Sequence, residues 1–242
     1  MICVDSVSRS YRSGGEELLA LDGVSLEVER GEFVALMGPS GSGKSTLLNI
    51  LSGLDSQTAG TVVVGGQDLG QLDEGQRAAW RARSVGLVFQ FFNLIPVLSA
   101  WENVALPLLL RKLPKAARRE RAEVALRIVG LSERARHRPT TMSGGEQQRV
   151  AIARALVVDP GLIIADEPTG DLDARNAEAV LDLLRVLKSE FGKTIVMVTH
   201  DARALSYVDR VVHLDKGVLV PEQEAYLPEA HVTRAIGQEL AG

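Results

Sequence analysis

The chain has 242 residues, 45% of them apolar and 24% charged, enough for one large domain or a core with appended lobes. A formal net charge of −4 gives no electrostatic reason to expect nucleic acid as the main ligand. The lone cysteine, Cys3, excludes an intrachain disulfide and suits a reducing compartment.

The start, Met1-Ile2-Cys3-Val4-Asp5, lacks the features of a signal peptide. The nearest approach to a bilayer-spanning run of ~20 apolar residues, Val85 to Trp101, is broken by Gln90, Asn93 and Pro96. A soluble, cytoplasmic protein is expected.

In chain order, Ile2 to Ser8, Val24 to Val28, Phe33 to Met37 and Thr61 to Val64 read as strands separated by glycine-rich turns. Phe33 to Met37 is short, wholly apolar and followed at once by glycine, the pattern of a buried parallel strand. Lys44 to Ser52 reads as a helix covered by Leu47, Leu48, Ile50 and Leu51 and stopped by Gly53. Ala122, Ala125, Leu126 and Val129 follow helical spacing up to Gly130. Ser143-Gly144-Gly145-Glu146 reads as another helix start. Leu162 to Pro168 and Thr194 to His200 are two further buried strands, with a helix between them that Asp173 would cap. Val211 to Leu214 and Val218 to Val220 flank Asp215-Lys216-Gly217 as a hairpin, and the tail beyond Pro221 is polar. Alternating strands and helices predict a parallel α/β sheet. The all-helical stretch from about Trp101 to Val157 breaks that alternation and reads as a separate lobe, rejoining the core through the helix that starts at Ser143.

Gly38-Pro39-Ser40-Gly41-Ser42-Gly43-Lys44-Ser45 satisfies the phosphate-loop pattern in full, with Thr46 following. Its glycines let the backbone curl so that N–H groups face phosphate oxygens. Lys44 supplies charge to the β- and γ-phosphates and Ser45 a hydroxyl to Mg²⁺. A plain glycine-rich turn is the competing reading; the strand-loop-helix setting argues against it. Asp166 and Glu167 follow an apolar strand at what is usually the ligand rim. There one carboxylate can orient Mg²⁺ while the other activates or positions water. Asp166 suits the metal and Glu167 the base. Gln90, after an apolar run, offers an amide that can touch metal or water while sensing a mobile loop. His200 ends a rim strand and is placed to contact the γ-phosphate. Lys112, Lys115, Arg118, Arg119 and Arg121 read as a solvated helix face rather than a nucleic-acid patch.

The motifs stand in one order: phosphate loop, Gln90, Ser143-Gly144-Gly145, Asp166-Glu167, Gly170 to Asp173, His200. That order resembles the ATP-binding subunit of an ABC transporter, over roughly Val4 to Val220. The resemblance implies an α/β fold: a P-loop NTPase core with a mostly parallel sheet, an N-terminal antiparallel β subdomain and a helical subdomain bearing the signature. A single domain over 1–242 is expected, with the core in 1–89 and 158–220, the helical part in 90–157 and a tail in 221–242.

The resemblance also implies that Tyr11 stacks on adenine and that Gly38 to Thr46 hold the phosphates. Gln90 would touch the metal and sense a membrane partner, and Ser45 and Asp166 would bind Mg²⁺. Glu167, His200 and Lys44 would be catalytic. Met142 to Glu146 would be the signature, and Asp171 to Asp173 the loop that crosses a dimer. Two copies would lie head-to-tail, the signature of one capping ATP in the phosphate loop of the other. A γ-phosphate half open on one loop would thus be enclosed by a second helix N-terminus. The partners implied are ATP, a second copy and an integral membrane permease, which would hold the chain on the cytoplasmic face of the inner membrane. No nucleic acid is implied.

Met142 and Glu146 depart from the commonest signature, which has leucine and glutamine there. A carboxylate near a γ-phosphate should repel it, but Ser143-x-x-Glu146 is also capping-box spacing. Glu146 is therefore expected to be structural, with Glu146→Gln leaving ATPase activity within a few-fold. Phe91-Phe92-Asn93-Leu94 suits either docking of a permease helix or filling of the helical lobe's own core. Three segments, 89–109, 137–156 and 165–180, are similar to ATPases of lipoprotein-releasing and macrolide-export systems. Asp171 replaces the asparagine usual in the lipoprotein-releasing branch. The alternative is a mechanical role, driving a membrane partner that activates cell-wall hydrolases without moving solute. A soluble ATPase acting on DNA or ribosomes would usually carry two cassettes, a coiled-coil insertion or zinc-binding cysteines. A phosphate-loop kinase would leave the Met142 to Glu146 segment without a purpose.

Overall fold

In the computed structural model, which describes residues 1–13 and 16–220, the chain opens with two long antiparallel strands, β1 (Ile2–Ser13) and β2 (Glu16–Val28). They lead to β3 (Phe33–Met37), α1 (Lys44–Leu51), β4 (Ala59–Val64) and the two-residue β5 (Gln67–Asp68). Helix α2 (Glu74–Ser84) runs directly into β6 (Val85–Phe89). Three helices follow with no strand between them: α3 (Ala100–Ala105), α4 (Lys115–Ile128) and α5 (Gly144–Leu156). The chain returns through β7 (Leu162–Asp166), α6 (Ala174–Ser189), β8 (Thr194–Val198) and the hairpin of β9 (Arg210–Asp215) and β10 (Val218–Val220). The expected tail, 221–242, lies outside the described residues.

Two sheets result, an antiparallel one in the order β2-β1-β4-β5 and a larger one in the order β10-β9-β3-β8-β7-β6. In the larger sheet five strands run parallel and only β10 is antiparallel. Strand side chains alternate between faces, so this sheet divides the interior in two. Phe33, Val88, Ile163, Ala165, Ile195 and Met197 pack with Val104, Leu126, Ile152 and Leu184 of the helices. Val34, Leu36, Leu162, Ile164, Val196 and Val198 pack with Leu47 and Ile50 of α1 and with Ile2, Val24 and Val62 of the antiparallel sheet. Both faces are covered, which is why β3, β7 and β8 read as unbroken apolar runs.

The α/β class, the mostly parallel sheet, the N-terminal antiparallel sheet and the helical lobe agree with expectation. Some boundaries differ. β1 and β2 extend well past Ser8 and before Val24, and their pairing slips register between Val4 and Val7, between Val7 and Arg9, and between Arg9 and Ser10. Such bulges break the two-residue alternation by which a strand is recognised. Helix α2 escaped a periodicity reading because it buries only Trp80, although Asp73 and Gln76 form a capping box at its start. β7 stops at Asp166 rather than Pro168: Glu167 has φ 47°, a left-handed conformation that no strand accommodates.

Candidate functional site

The phosphate loop connects β3 to α1. Its geometry depends on glycine at two points: a Cβ on Gly38 would lie 2.0 Å from the Leu214 carbonyl oxygen, and one on Gly43 2.5 Å from that of Ala20. Gly43 is left-handed, at φ 103°, and α1 begins from it with no side-chain cap. By contrast α2, α5 and α6 are capped by Asp73, Ser143 and Asp173. The N–H groups of Lys44, Ser45 and Thr46 are therefore left as donors at the start of α1, where the helix dipole also favours an anion. The Lys44 ammonium donates to the carbonyls of Gly38 (2.9 Å) and Pro39 (2.7 Å), which holds it over the loop. Burial pushes its pKa down, opposed by the nearby charges of Glu167 and Asp166.

A cleft of about 600 Å³ opens above this loop, lined by the loop itself from Gly38 to Thr46 apart from Pro39, by Asp166, Glu167 and His200, and by Tyr11. Asp166 closes β7, and burial, then the charge of Glu167, raises its carboxyl above the ordinary range, with Lys44 opposing. Glu167 is fixed by its own N–H, which donates to the Val198 carbonyl (3.0 Å), and by the Nδ1 of His200, 3.0 Å from its Oε2. The ends of two parallel strands thus carry an acid pair and an imidazole to the mouth of the phosphate loop. Ser45 and Asp166 are hard oxygen donors on the same cleft, a set that fits Mg²⁺ completed by phosphate oxygens and water.

At the other end of the cleft, the Tyr11 hydroxyl donates to Asp55 (2.7 Å) and the Arg9 guanidinium lies 4.5 Å from its ring centroid. Arg9 thereby covers one face of the ring. Leu18, Leu19 and Ala20 add an apolar wall that the sequence reading passed over, since two exposed leucines on a strand carry no signal of their own.

Gln90, Ser143, Gly144, Gly145 and Asp171, also expected at the nucleotide, do not line this cleft. They form a second cluster. The Gln90 amide donates to Asp171 Oδ1 at 3.1 Å. Leu172 lies against Gly144, and a Cβ on Gly145 would come within 2.1 Å of the Asn176 amide oxygen, so α5 meets the start of α6 at a distance only glycine allows. Asp173 caps α6 through the N–H of Asn176, as expected. At the start of α5, Ser143 Oγ accepts the Glu146 N–H (3.2 Å) and Glu146 Oε2 accepts the Ser143 N–H (2.9 Å). This is the expected capping box. It leaves the Ser143 hydroxyl proton and the N–H groups of Gly144 and Gly145 as donors without partners among the described residues.

Two residues of α5 that sequence reasoning missed hold these parts together. Gln148, fully buried, donates to the carbonyls of Phe89 (3.3 Å) and Pro168 (2.6 Å), the residues just before Gln90 and just after Glu167. Arg154 donates to the carbonyls of Phe92 (2.7 Å) and Asn93, residues that both have positive φ. A glutamine on the apolar face of a helix was the only available sign. The aromatic cluster after Gln90 divides: Leu94 packs into the lobe core and Phe92 rests near Gly144, while Phe91 is 72% exposed.

A family model described as ABC transporter matches residues 21–170. The lipoprotein-releasing system ATP-binding protein LolD of Pseudomonas fluorescens is 47% identical over 88% of this chain and 94% of its own length. The macrolide export ATP-binding/permease protein MacB of Hyphomonas neptunium is 46% identical over 92% of this chain but only 34% of its own length. Among solved structures, a dimeric post-hydrolysis state of the ATP-binding cassette MJ0796 bound to ADP and Pi, a protein of Methanocaldococcus jannaschii, superposes with a TM-score of 0.84 at 43% identity, over 91% of this chain and 97% of that one. With its phosphate loop, rim acids and capped second helix start in place, the chain belongs to the ABC transporter family, as an ATP-hydrolysing cassette.

Proposed function

We propose that this cassette powers a separate membrane permease for lipoprotein release, or for export of another hydrophobic or extracytoplasmic substrate. It works as a head-to-tail dimer with ATP shared between copies, on the cytoplasmic face of the membrane. Its parts are a nucleotide-binding core, 1–89 and 158–220, and a helical lobe, 90–157. One observation carries the reading: the donors at the start of α5 have no partner among the described residues, yet they lie outside the chain's own cleft. The lengthwise match to the LolD protein favours a subunit of the lipoprotein-releasing type, and the match to one part of the MacB protein the wider export class. No helix among the described residues is long and apolar enough to cross a membrane.

In the mechanism we infer, Tyr11 stacks on the base and Gly38 to Thr46 with Lys44 hold the phosphates. Ser45 and Asp166 would hold Mg²⁺, which would supply neutralisation of phosphate charge. Glu167 accepts the proton of the water attacking the γ-phosphorus, and His200, bonded to Glu167, orients it and reaches the γ-phosphate. Ser143, Gly144 and Gly145 of the second copy close the site and exclude water. Gln90 and Asp171 join this site after their mutual hydrogen bond opens, which links the state of the nucleotide to the loop facing the permease. Cleavage removes the bridging phosphate and loosens the dimer. The full chain carrying Glu167→Gln should form a dimer retaining two nucleotides when mixed with Mg-ATP, read by light scattering; a monomer under those conditions overturns the shared site.

A further inference from the structure

Glu146 sits in the first turn of α5, beside the donors assigned above to a partner's γ-phosphate. An unbalanced carboxylate at that point would oppose phosphate binding, since like charges brought together at an interface repel. Its two oxygens are used differently. Oε2 accepts the N–H of Ser143, and Oε1 lies 3.0 Å from Nε of Arg134.

Arg134 ends the short helical turn Ser132–Arg134 between α4 and α5, and its Nη1 is 3.2 Å from His137 Nε2. The Glu146 side chain is 17% exposed and that of Arg134 46%, so the acid is largely sheltered while the base reaches solvent. The Ser143 N–H, then Arg134 against the opposing effect of burial, holds the Glu146 carboxyl below the usual range, so it is charged at neutral pH. The cap therefore carries a negative charge with one cation paired to it. Without that cation the carboxylate has two courses. It can stay, uncompensated, at the mouth of the phosphate site, or swing to solvent and release Ser143.

We infer that Arg134 is a positioning residue for the shared nucleotide site: it neutralises Glu146 and holds it in the cap, keeping the Ser143 hydroxyl and the Gly144 and Gly145 N–H groups available to the γ-phosphate bound by the other copy. This rests on the shared-nucleotide reading above. The charge logic separates the two side chains. Glu146→Gln keeps an oxygen that can accept the Ser143 N–H and removes the charge, so it makes Arg134 dispensable.

The experiment uses the full chain with Glu167→Gln as parent and titrates Mg-ATP. Dimer formation is read by light scattering, and nucleotide binding to the monomer with a fluorescent ATP analogue. Arg134→Ala should raise the ATP needed for half-dimerisation roughly tenfold while leaving monomer binding unchanged, since Arg134 does not line the monomer's own cleft. Glu146→Gln alone should stay within a few-fold of parent, and the double variant should return to that level. Arg134→Gln, which keeps the stem without the charge, serves if the alanine variant melts early. Arg134→Ala equal to parent, or a double variant as poor as Arg134→Ala, overturns the inference. The parent itself separates the shared site from the role of Arg134. If the parent stays monomeric with Mg-ATP, the shared site falls and this inference with it; if the parent dimerises while Arg134→Ala is unaffected, only the role of Arg134 is lost.

Discussion

Asp166 and Glu167 are adjacent carboxylates in different surroundings. Asp166 is the end of a buried strand, while Glu167 leaves that strand through a left-handed backbone and is tied to His200. A non-glycine residue at φ 47° costs on the order of 1–2 kcal/mol, a strain held in place by the packed strands on either side. The raised carboxyl of Asp166 has a definite consequence. A group whose folded pKa lies above its unfolded value loses its stabilising contribution as pH rises through the folded value. Asp166→Asn should therefore raise the melting midpoint of the nucleotide-free chain by a few degrees in neutral buffer. The advantage should vanish in acid, where the native carboxyl is neutral too; melts at both pH values check it. The same variant should lose Mg²⁺-dependent turnover by two orders of magnitude or so, read as phosphate release.

Helix α5 does three things along its length. Its start is a capping box with spare donors, its middle carries Gln148, and its end carries Arg154. Gln148 and Arg154 bind backbone carbonyls of the loops after β6 and β7, so a displacement of α5 must move the segments that hold Gln90 and Glu167. Gln148→Leu would keep the volume and remove the donor from two carbonyls. We expect a loss of about 2 kcal/mol in urea unfolding together with slower turnover. An unchanged midpoint would mean that the bonds to Phe89 and Pro168 contribute nothing net.

Across the molecule, two chemistries occupy two regions. The groups proposed to face nucleotide lie along the cleft at the ends of the parallel strands, while Phe91, Ile95, Val97, Leu109 and Leu110 are exposed in and beside the helical lobe. Phe91 follows the residue whose amide bonds Asp171, so it stands between the nucleotide machinery and whatever the lobe meets. Phe91→Ala should leave the chain's own melting point unchanged, because so exposed a side chain contributes little to its core. It should cut permease-stimulated ATP turnover several-fold. Phe92→Ala, by contrast, should destabilise the lobe, since Phe92 is half-buried near Gly144. Assays of reconstituted complexes beside melts of the free subunit separate the two.

Much of this was readable along the chain because its physics is short-ranged. A phosphate loop, an N-cap and a capping box each involve residues within about eight positions, and buried parallel strands announce themselves as apolar runs. Gly38 to Thr46, Ser143 with Glu146, Asp173, and the apolar runs of β7 and β8 belong to this class, although those strands end at Asp166 and Val198, two residues before the expected Pro168 and His200. Residues far apart could be matched only after folding: Gln90 with Asp171 across 81 positions, Gln148 with Phe89 across 59, and Arg134 with Glu146 across the α4–α5 turn. No local periodicity encodes such pairs, because each partner satisfies its own segment's pattern equally well in many arrangements. The order of strands and the packing of α5 against the sheet select one arrangement, and that selection is what puts the Arg134 cation beside the Glu146 carboxylate.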